Sequence, residues 1–205
     1  LPTMVSQHIR SSVRDRQRYA TGLQGEMNRI PTELCAPSHT AGMLPSCEGL
    51  HIFTDGSYEP TSGKGGWAFV AYRDGAEIAS EFGGAQSSAD NTMELTALFK
   101  AALWVNGNAS GERAIVWSDC VYAVNGCNSW RHIWKNNGWK KIVPNAKARS
   151  RTIANVELWM AIDLQLSRNP QLAIVWCKGH SGLVGNERAD ILAALGRQSA
   201  RSGDR

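Results

Sequence analysis

The stretch HIFTDGSYEP, residues 51–60, decides the fold. Its branched and aromatic residues describe a buried strand, and Asp55 against Gly56 reads as the point where that strand stops and turns. A second run, RAIVWSD at 113–119, repeats the arrangement: an apolar strand whose last residue is Asp119, followed by a helix start. In sheets with crossover connections, ligand sites form beyond the carboxyl ends of the strands. The two aspartates are therefore expected side by side on neighbouring strands.

The chain between and beyond these runs supplies the other elements. GWAFVAY (66–72) and AEIASEF (76–82) are β-type runs punctuated by Gly63, Gly65, Gly66 and the RDG at 73–75, which predicts three antiparallel strands in succession. NTMELTALFKAALWV (91–105) changes period, with Leu95, Leu98, Ala102 and Val105 on one helical face. A short helix is expected over 120–130, a longer one over 155–167, a last buried strand over 172–180 and a closing helix over 186–196. This order mixes a meander with crossover units, so the class is α/β with a mixed, helix-covered sheet.

The chain has 205 residues, 42% hydrophobic and 20% charged, enough for one core and an appendage. Residues 1–48 differ in character, with four prolines, the basic stretch RSSVRDRQR at 10–18 and a linker-like composition from 31 to 49. We expect a flexible extension over 1–48, a catalytic domain over 49–198 and a tail over 199–205. The five cysteines form no CxxC pair and suit neither a disulfide framework nor a zinc site. No apolar run reaches the roughly 18 residues of a membrane span, and the N-terminus lacks a secretory apolar stretch. A cytoplasmic protein with no membrane association is expected.

Paired aspartates repel unless a cation compensates, and hard ions such as Mg²⁺ prefer carboxylate oxygens. Glu94 falls in the opening of the amphipathic helix on its buried side, and Asp190 in the opening turn of the last helix. Each has a plainer explanation when taken alone: Asp55 as a turn residue, Asp119 as a helix cap, Glu94 and Asp190 as carboxylates favoured by the helix dipole. No serine or cysteine stands in a nucleophile turn with a histidine and acid partner, so acyl transfer is a poor competitor.

Charge is distributed unevenly. From Cys120 to Val156 there is no acidic residue, while SWRHIWKNNGWKK (129–141) interleaves Arg131, Lys135, Lys140 and Lys141 with Trp130, Trp134 and Trp139, and Lys147, Arg149 and Arg151 follow. Such a segment is either a solvated basic helix whose tryptophans pack inward or a surface that tracks a nucleic-acid strand through phosphates and aromatic planes. The second reading is favoured.

FTDGS, NTMEL, WSDCVYAV, WCKGHSG and NERAD occur in the order and spacing of the ribonuclease H family, and the chain resembles its cellular and bacterial type 1 branch over about residues 50–196. The resemblance implies a ribonuclease H-like fold, a mixed five-stranded sheet flanked by helices. It also implies four carboxylates, Asp55, Glu94, Asp119 and Asp190, holding two Mg²⁺ ions, with Mn²⁺ as a substitute. On that pattern the flexible-loop histidine, His180, assists proton transfer or product release, Gly179, Gly182 and Gly185 give its loop mobility, and Glu187 helps organise the second metal. The basic segment resembles the family's protrusion that grips the DNA strand of a hybrid, which assigns Trp130, Trp134, Lys135, Trp139, Lys140 and Lys141 to nucleic-acid binding together with Asn91.

The chain departs from the family's pattern at Glu59, Pro60 and Thr61, at Asp90 and at Val121, where RNA-contacting polar residues are common. The expected activity is hydrolysis of the RNA strand of RNA/DNA hybrids, leaving 5′-phosphate and 3′-hydroxyl ends, by a monomer needing no protein partner. A hybrid-binding module without catalysis and a mobile-element nuclease are the alternatives; the absence of a polymerase motif in this chain weighs against the second.

Overall fold

The computed structural model describes residues 48–86, 90–143 and 151–200. The extension expected over 1–48, except for Glu48, lies outside the described residues, as do Lys147, Arg149 and the tail beyond Ala200. Strands β1 (Leu50–Glu59), β2 (Lys64–Arg73) and β3 (Ala76–Gln86) come first, then helix α1 (Asp90–Asn108) and β4 (Ala114–Ser118). Helix α2 (Val121–Asn125) runs through a π-helical segment (Gly126–Trp130) into α3 (Arg131–Asn136), and α4 (Val156–Arg168), β5 (Leu172–Trp176) and α5 (Val184–Ser199) complete the chain.

The sheet is mixed and five-stranded, in the order β3-β2-β1-β4-β5. β1 pairs antiparallel with β2 and parallel with β4, and β4 pairs parallel with β5. Because β1 is covered on both faces it reads as a continuous apolar run rather than an alternating one. Ile52 joins Leu95, Leu98, Ala102 and Val105 of α1 in the larger core, while Phe53 joins Val70, Tyr72, Ala189 and Leu192 in the core beneath α5. Truncating a fully buried residue such as Leu95 to Ala costs about 2–5 kcal/mol.

The opening strand does not stop at Asp55. Its parallel pairing with β4 ends at Thr54↔Ser118, but its antiparallel pairing with β2 continues from Asp55↔Ala68 to Glu59↔Lys64. Gly56 is therefore a strand residue, and its small size serves a different purpose. A Cβ at Gly56 would lie 2.4 Å from the backbone nitrogen of Glu94, so the missing side chain lets α1 rest directly on β1. The last strand is shorter than expected: it ends at Trp176, and after Cys177 N donates to Ser118 O at 3.0 Å the chain leaves the sheet.

Helix α5 crosses the other face of the sheet with equally close contact. A Cβ on Gly66 would lie 2.1 Å from the carbonyl oxygen of Ala193, and one on Gly84 would lie 2.2 Å from that of Gly196. Backbone meets backbone along this crossing, which fixes the depth at which α5 sits.

Candidate active site

Three of the sequence-predicted carboxylates meet at the point where β4 stops following β1. Asp55 is carried by β1 one residue past the last parallel pair, and Asp119 follows the last residue of β4. Thr54 Oγ1 donates to the Trp117 carbonyl at 3.1 Å, tying the two strands just before they diverge. Glu94 enters from α1 across the gap that Gly56 leaves open. Ligand oxygens of Asp55, Glu94 and Asp119 all lie within 4.8 Å of one another, with Asp55 and Glu94 buried.

The fourth carboxylate is not in that group. Asp190 stands with His180 and Glu187 in an adjoining one, where ligand atoms again lie within 4.8 Å of one another and His180 Nδ1 is 3.8 Å from Asp190 Oδ2. Asp190 projects from the second turn of α5, partly exposed, whereas Asn186 one turn earlier points inward. Asn186 Nδ2 donates to Asp119 Oδ2 at 3.3 Å, so the two groups share a boundary at Asp119.

The loop between β5 and α5 serves the site through close approach more than through freedom. A Cβ on Gly179 would sit 2.5 Å from Asp119 Oδ2, and one on Gly185 would sit 2.2 Å from the ring of Phe53. The expectation that all three loop glycines supply mobility is corrected accordingly: only Gly182, at φ +81° with open space around it, is a conformational glycine. The loop is also bonded within itself, Ser181 Oγ to the Lys178 carbonyl at 2.7 Å and Gly182 N to Glu187 Oε1 at 3.2 Å. His180 holds a left-handed φ of 49° and is highly exposed.

The carboxylates set the electrostatics. Burial together with the charges of Glu94 and Asp119 pushes the Cys120 thiol up to about 11, and burial with Asp119, Asp55 and Glu94 pushes Cys177 up to about 12. Neither thiol is a nucleophile at neutral pH. A pocket this negative, built from hard oxygen donors, fits a divalent cation of the Mg²⁺ type.

Sequence reasoning passed over two residues here. Trp176 donates its indole N–H to the Asp119 carbonyl at 3.1 Å, and the buried Asn186 reaches the Asp119 side chain. The NERAD motif contained Asn186, but only its charged members stood out. An asparagine with no apolar neighbour pattern carries no signal of burial in sequence.

The basic segment divides between core and surface. Trp134 is buried, with its ring centroid 5.4 Å from that of Trp159 and 5.8 Å from that of Trp130, and Trp130 packs at a tilt against Tyr122. Trp134 is thus a packing residue, and its expected place on the strand-binding surface is corrected: the rings of Trp130 and Trp159 pack against it in the seam between α3 and α4. Lys135 is also committed elsewhere, donating to Asp163 Oδ2 at 2.7 Å while Arg131 takes the other oxygen. Asp163 lies on α4, outside the acid-free stretch of sequence, and the fold returns it to the basic helix. Burial works to raise its pKa, but the hydrogen bonds and charges of Lys135 and Arg131 prevail and hold it below the ordinary carboxylate value. Lys140, Lys141 and Arg151 remain exposed beside the half-buried Trp139, and Lys141 N donates to the Arg151 carbonyl at 2.8 Å. Asn91 is exposed in the first turn of α1, and Val121 is exposed at the start of α2.

The chain with this sheet order and carboxylate cluster has recognisable relatives among known proteins. The RNase H family profile matches residues 48–198, and the chain belongs to the ribonuclease H family. A ribonuclease H of Herminiimonas arsenicoxydans is 37% identical over 155 residues, covering 76% of this chain and 99% of the relative. A ribonuclease HI of Neisseria meningitidis is 35% identical, covering 72% of this chain and 94% of the relative. Among solved structures, the solution structure of the PFV RNase H domain aligns with a TM-score of 0.63 at 21% identity, over 74% of this chain and 96% of that one. LC9-RNase H1, a type 1 RNase H with the type 2 active-site motif, aligns with a TM-score of 0.61 at 22% identity, over 79% and 77% of the two chains.

Proposed function

We propose that the chain is an endoribonuclease that hydrolyses the RNA strand of RNA/DNA hybrids at the Asp55, Glu94 and Asp119 cluster. The observation that carries the reading is the convergence of these three carboxylates within 4.8 Å in a chain of the ribonuclease H family. Asp55, Glu94 and Asp119 would hold divalent ions, with Asp190 completing the set from α5 and Mg²⁺ or Mn²⁺ as the metal. Divalent ions held by these carboxylates would supply Lewis-acid activation of water and charge stabilisation for phosphodiester hydrolysis that leaves 5′-phosphate and 3′-hydroxyl ends.

The protein's own groups do the rest. Asn186 holds the Asp119 carboxylate in the space that Gly179 leaves open, and Trp176 holds its backbone. His180 would move a proton at the rim of the site, a role supported by its exposure on the loop and its 3.8 Å approach to Asp190. Lys140, Lys141 and Arg151 attract phosphates beside Trp139, and Asn91 reaches the strand from the opening of α1. Recognition of ribose 2′-hydroxyls across a shallow minor groove selects the RNA strand. The free thiols of Cys120, Cys127 and Cys177 suit a reducing, cytoplasmic setting, and a monomer is the proposed state.

The test is cleavage of one sequence prepared as RNA/DNA hybrid, double-stranded RNA and double-stranded DNA, each with Mg²⁺, with Mn²⁺ and with EDTA. Metal-dependent cutting confined to the RNA strand of the hybrid is expected. Tight hybrid binding with no cutting under either metal would identify a binding module instead.

A further inference from the structure

We propose that Asn186 is a positioning residue for Asp119, and that the Cys177 thiol sets which way its amide faces. The proposal rests on the nuclease reading above.

Asn186 is 1% exposed, so its amide has to find partners within the protein. An ionised carboxylate only accepts hydrogen bonds, which requires the amide nitrogen to face Asp119 and the amide oxygen to face away. The structure meets both conditions: Nδ2 donates to Asp119 Oδ2 at 3.3 Å, and Oδ1 accepts from Cys177 Sγ at 3.3 Å. Cys177 is itself buried and held through its backbone, because Cys177 N donates to Ser118 O at 3.0 Å. A buried chain of two hydrogen bonds therefore runs from the end of β5 through the first turn of α5 to the carboxylate after β4. A Cβ on Gly179 would sit 2.5 Å from the same Asp119 Oδ2, so the absent side chain leaves the carboxylate room to meet the Asn186 amide. A thiol is the weakest donor that could orient the amide, and exchange for a residue with no donor leaves Oδ1 buried without a partner.

The test is calorimetric titration of the intact protein with Mn²⁺ alone, alongside thermal unfolding in EDTA and hybrid binding in EDTA. Asn186→Ala is expected to weaken Mn²⁺ binding about 10- to 100-fold, the usual effect of losing an outer hydrogen-bond partner of a ligand. Hybrid affinity without metal should not change, which separates positioning from general structural damage. Cys177→Val should weaken Mn²⁺ binding in the same direction, and Cys177→Ser, which keeps a donor, should restore it. A folded Asn186→Ala protein that binds Mn²⁺ like the unsubstituted one overturns the proposal and leaves the nuclease reading standing. Should Asn186→Ala not fold, equal Mn²⁺ affinities for Cys177→Val and Cys177→Ser overturn it equally. An unsubstituted protein that takes up no Mn²⁺ removes the nuclease reading and this proposal with it.

Discussion

Lys135 Nζ lies 2.7 Å from Asp163 Oδ2, so one of the lysines in the acid-free stretch is neutralised by a carboxylate 28 residues further along. Local charge in the sequence overstates the charge available to a ligand. Among the described residues Lys140 and Lys141 have no such carboxylate partner, and they are the cations proposed to face phosphates. Replacing both by Ala is expected to weaken hybrid binding and make its dependence on the logarithm of salt concentration about two units shallower. Fluorescence anisotropy at several salt concentrations measures the slope, and an unchanged slope would remove these lysines from the interface.

Arg131 and Lys135 should behave differently from that pair. Arg131→Ala strips a buried carboxylate of its less exposed partner and is expected to cost about 3 kcal/mol in urea unfolding. Lys135→Ala, at a half-exposed position, should cost less than about 1 kcal/mol. Equal losses from the two substitutions would contradict the assignment of Arg131 as the main partner.

Gly56→Ala places a methyl group 2.4 Å from the Glu94 nitrogen, which forces α1 away from β1. Destabilisation of about 1–3 kcal/mol is expected, together with loss of cleavage as Glu94 separates from Asp55. Retained activity in a melted-and-refolded Gly56→Ala sample would show that the helix can give way without disturbing the site. Asp119→Asn is the complementary change: nearly isosteric and a poor Mg²⁺ ligand, it should reduce cleavage to background in a gel assay while hybrid binding persists.

His51 lies near the start of β1, on the strand before Asp55. Burial lowers its pKa, against the raising influence of the Glu48 carbonyl and Asp74, and its Nδ1 accepts a hydrogen bond from Trp117 Nε1 at 3.0 Å. The folded protein therefore favours the neutral ring. Its contribution to stability is complete above the ordinary histidine value of 6.5 and declines as pH falls from there toward the lower folded value. Urea unfolding between pH 5 and 7.5 should show stability rising with pH, and His51→Gln should flatten that rise.

The thiols near the site should resist alkylation. With Cys120 raised to about 11 and Cys127 and Cys177 to about 12, iodoacetamide at neutral pH is expected to leave all three unmodified in the native protein and to label them after unfolding. Peptide mass spectrometry reads the outcome residue by residue.

Much of the architecture is legible in the sequence because both periods are clean. Leu95, Leu98, Ala102 and Val105 mark the buried face of α1, and the runs before Asp55 and Asp119 mark adjacent strands. The extent of β1 was not legible, since whether a strand continues depends on which neighbour it keeps: β4 leaves at Thr54 while β2 goes on to Glu59. Of the candidate site, Asp55, Glu94 and Asp119 were legible as carboxylates at element ends. Their contact depended on the absent side chain of Gly56, which the sequence shows only as a turn-former. Trp134 could be read as core or surface, and only the arrival of Trp159 from α4 decides for core.

The seating of α5 has a further consequence. The helix is held near its C-terminal end by Gly84 and Gly196, while Asn186 stands about 15 Å and Asp190 about 9 Å from that anchor at the rise of an α-helix. That anchor, which we treat as the fulcrum, is made of backbone, with no flexible side chain to absorb a misfit. An extra methyl group at the fulcrum would be felt as a tilt at the tip, so a residue that never approaches the substrate governs how accurately the site is assembled.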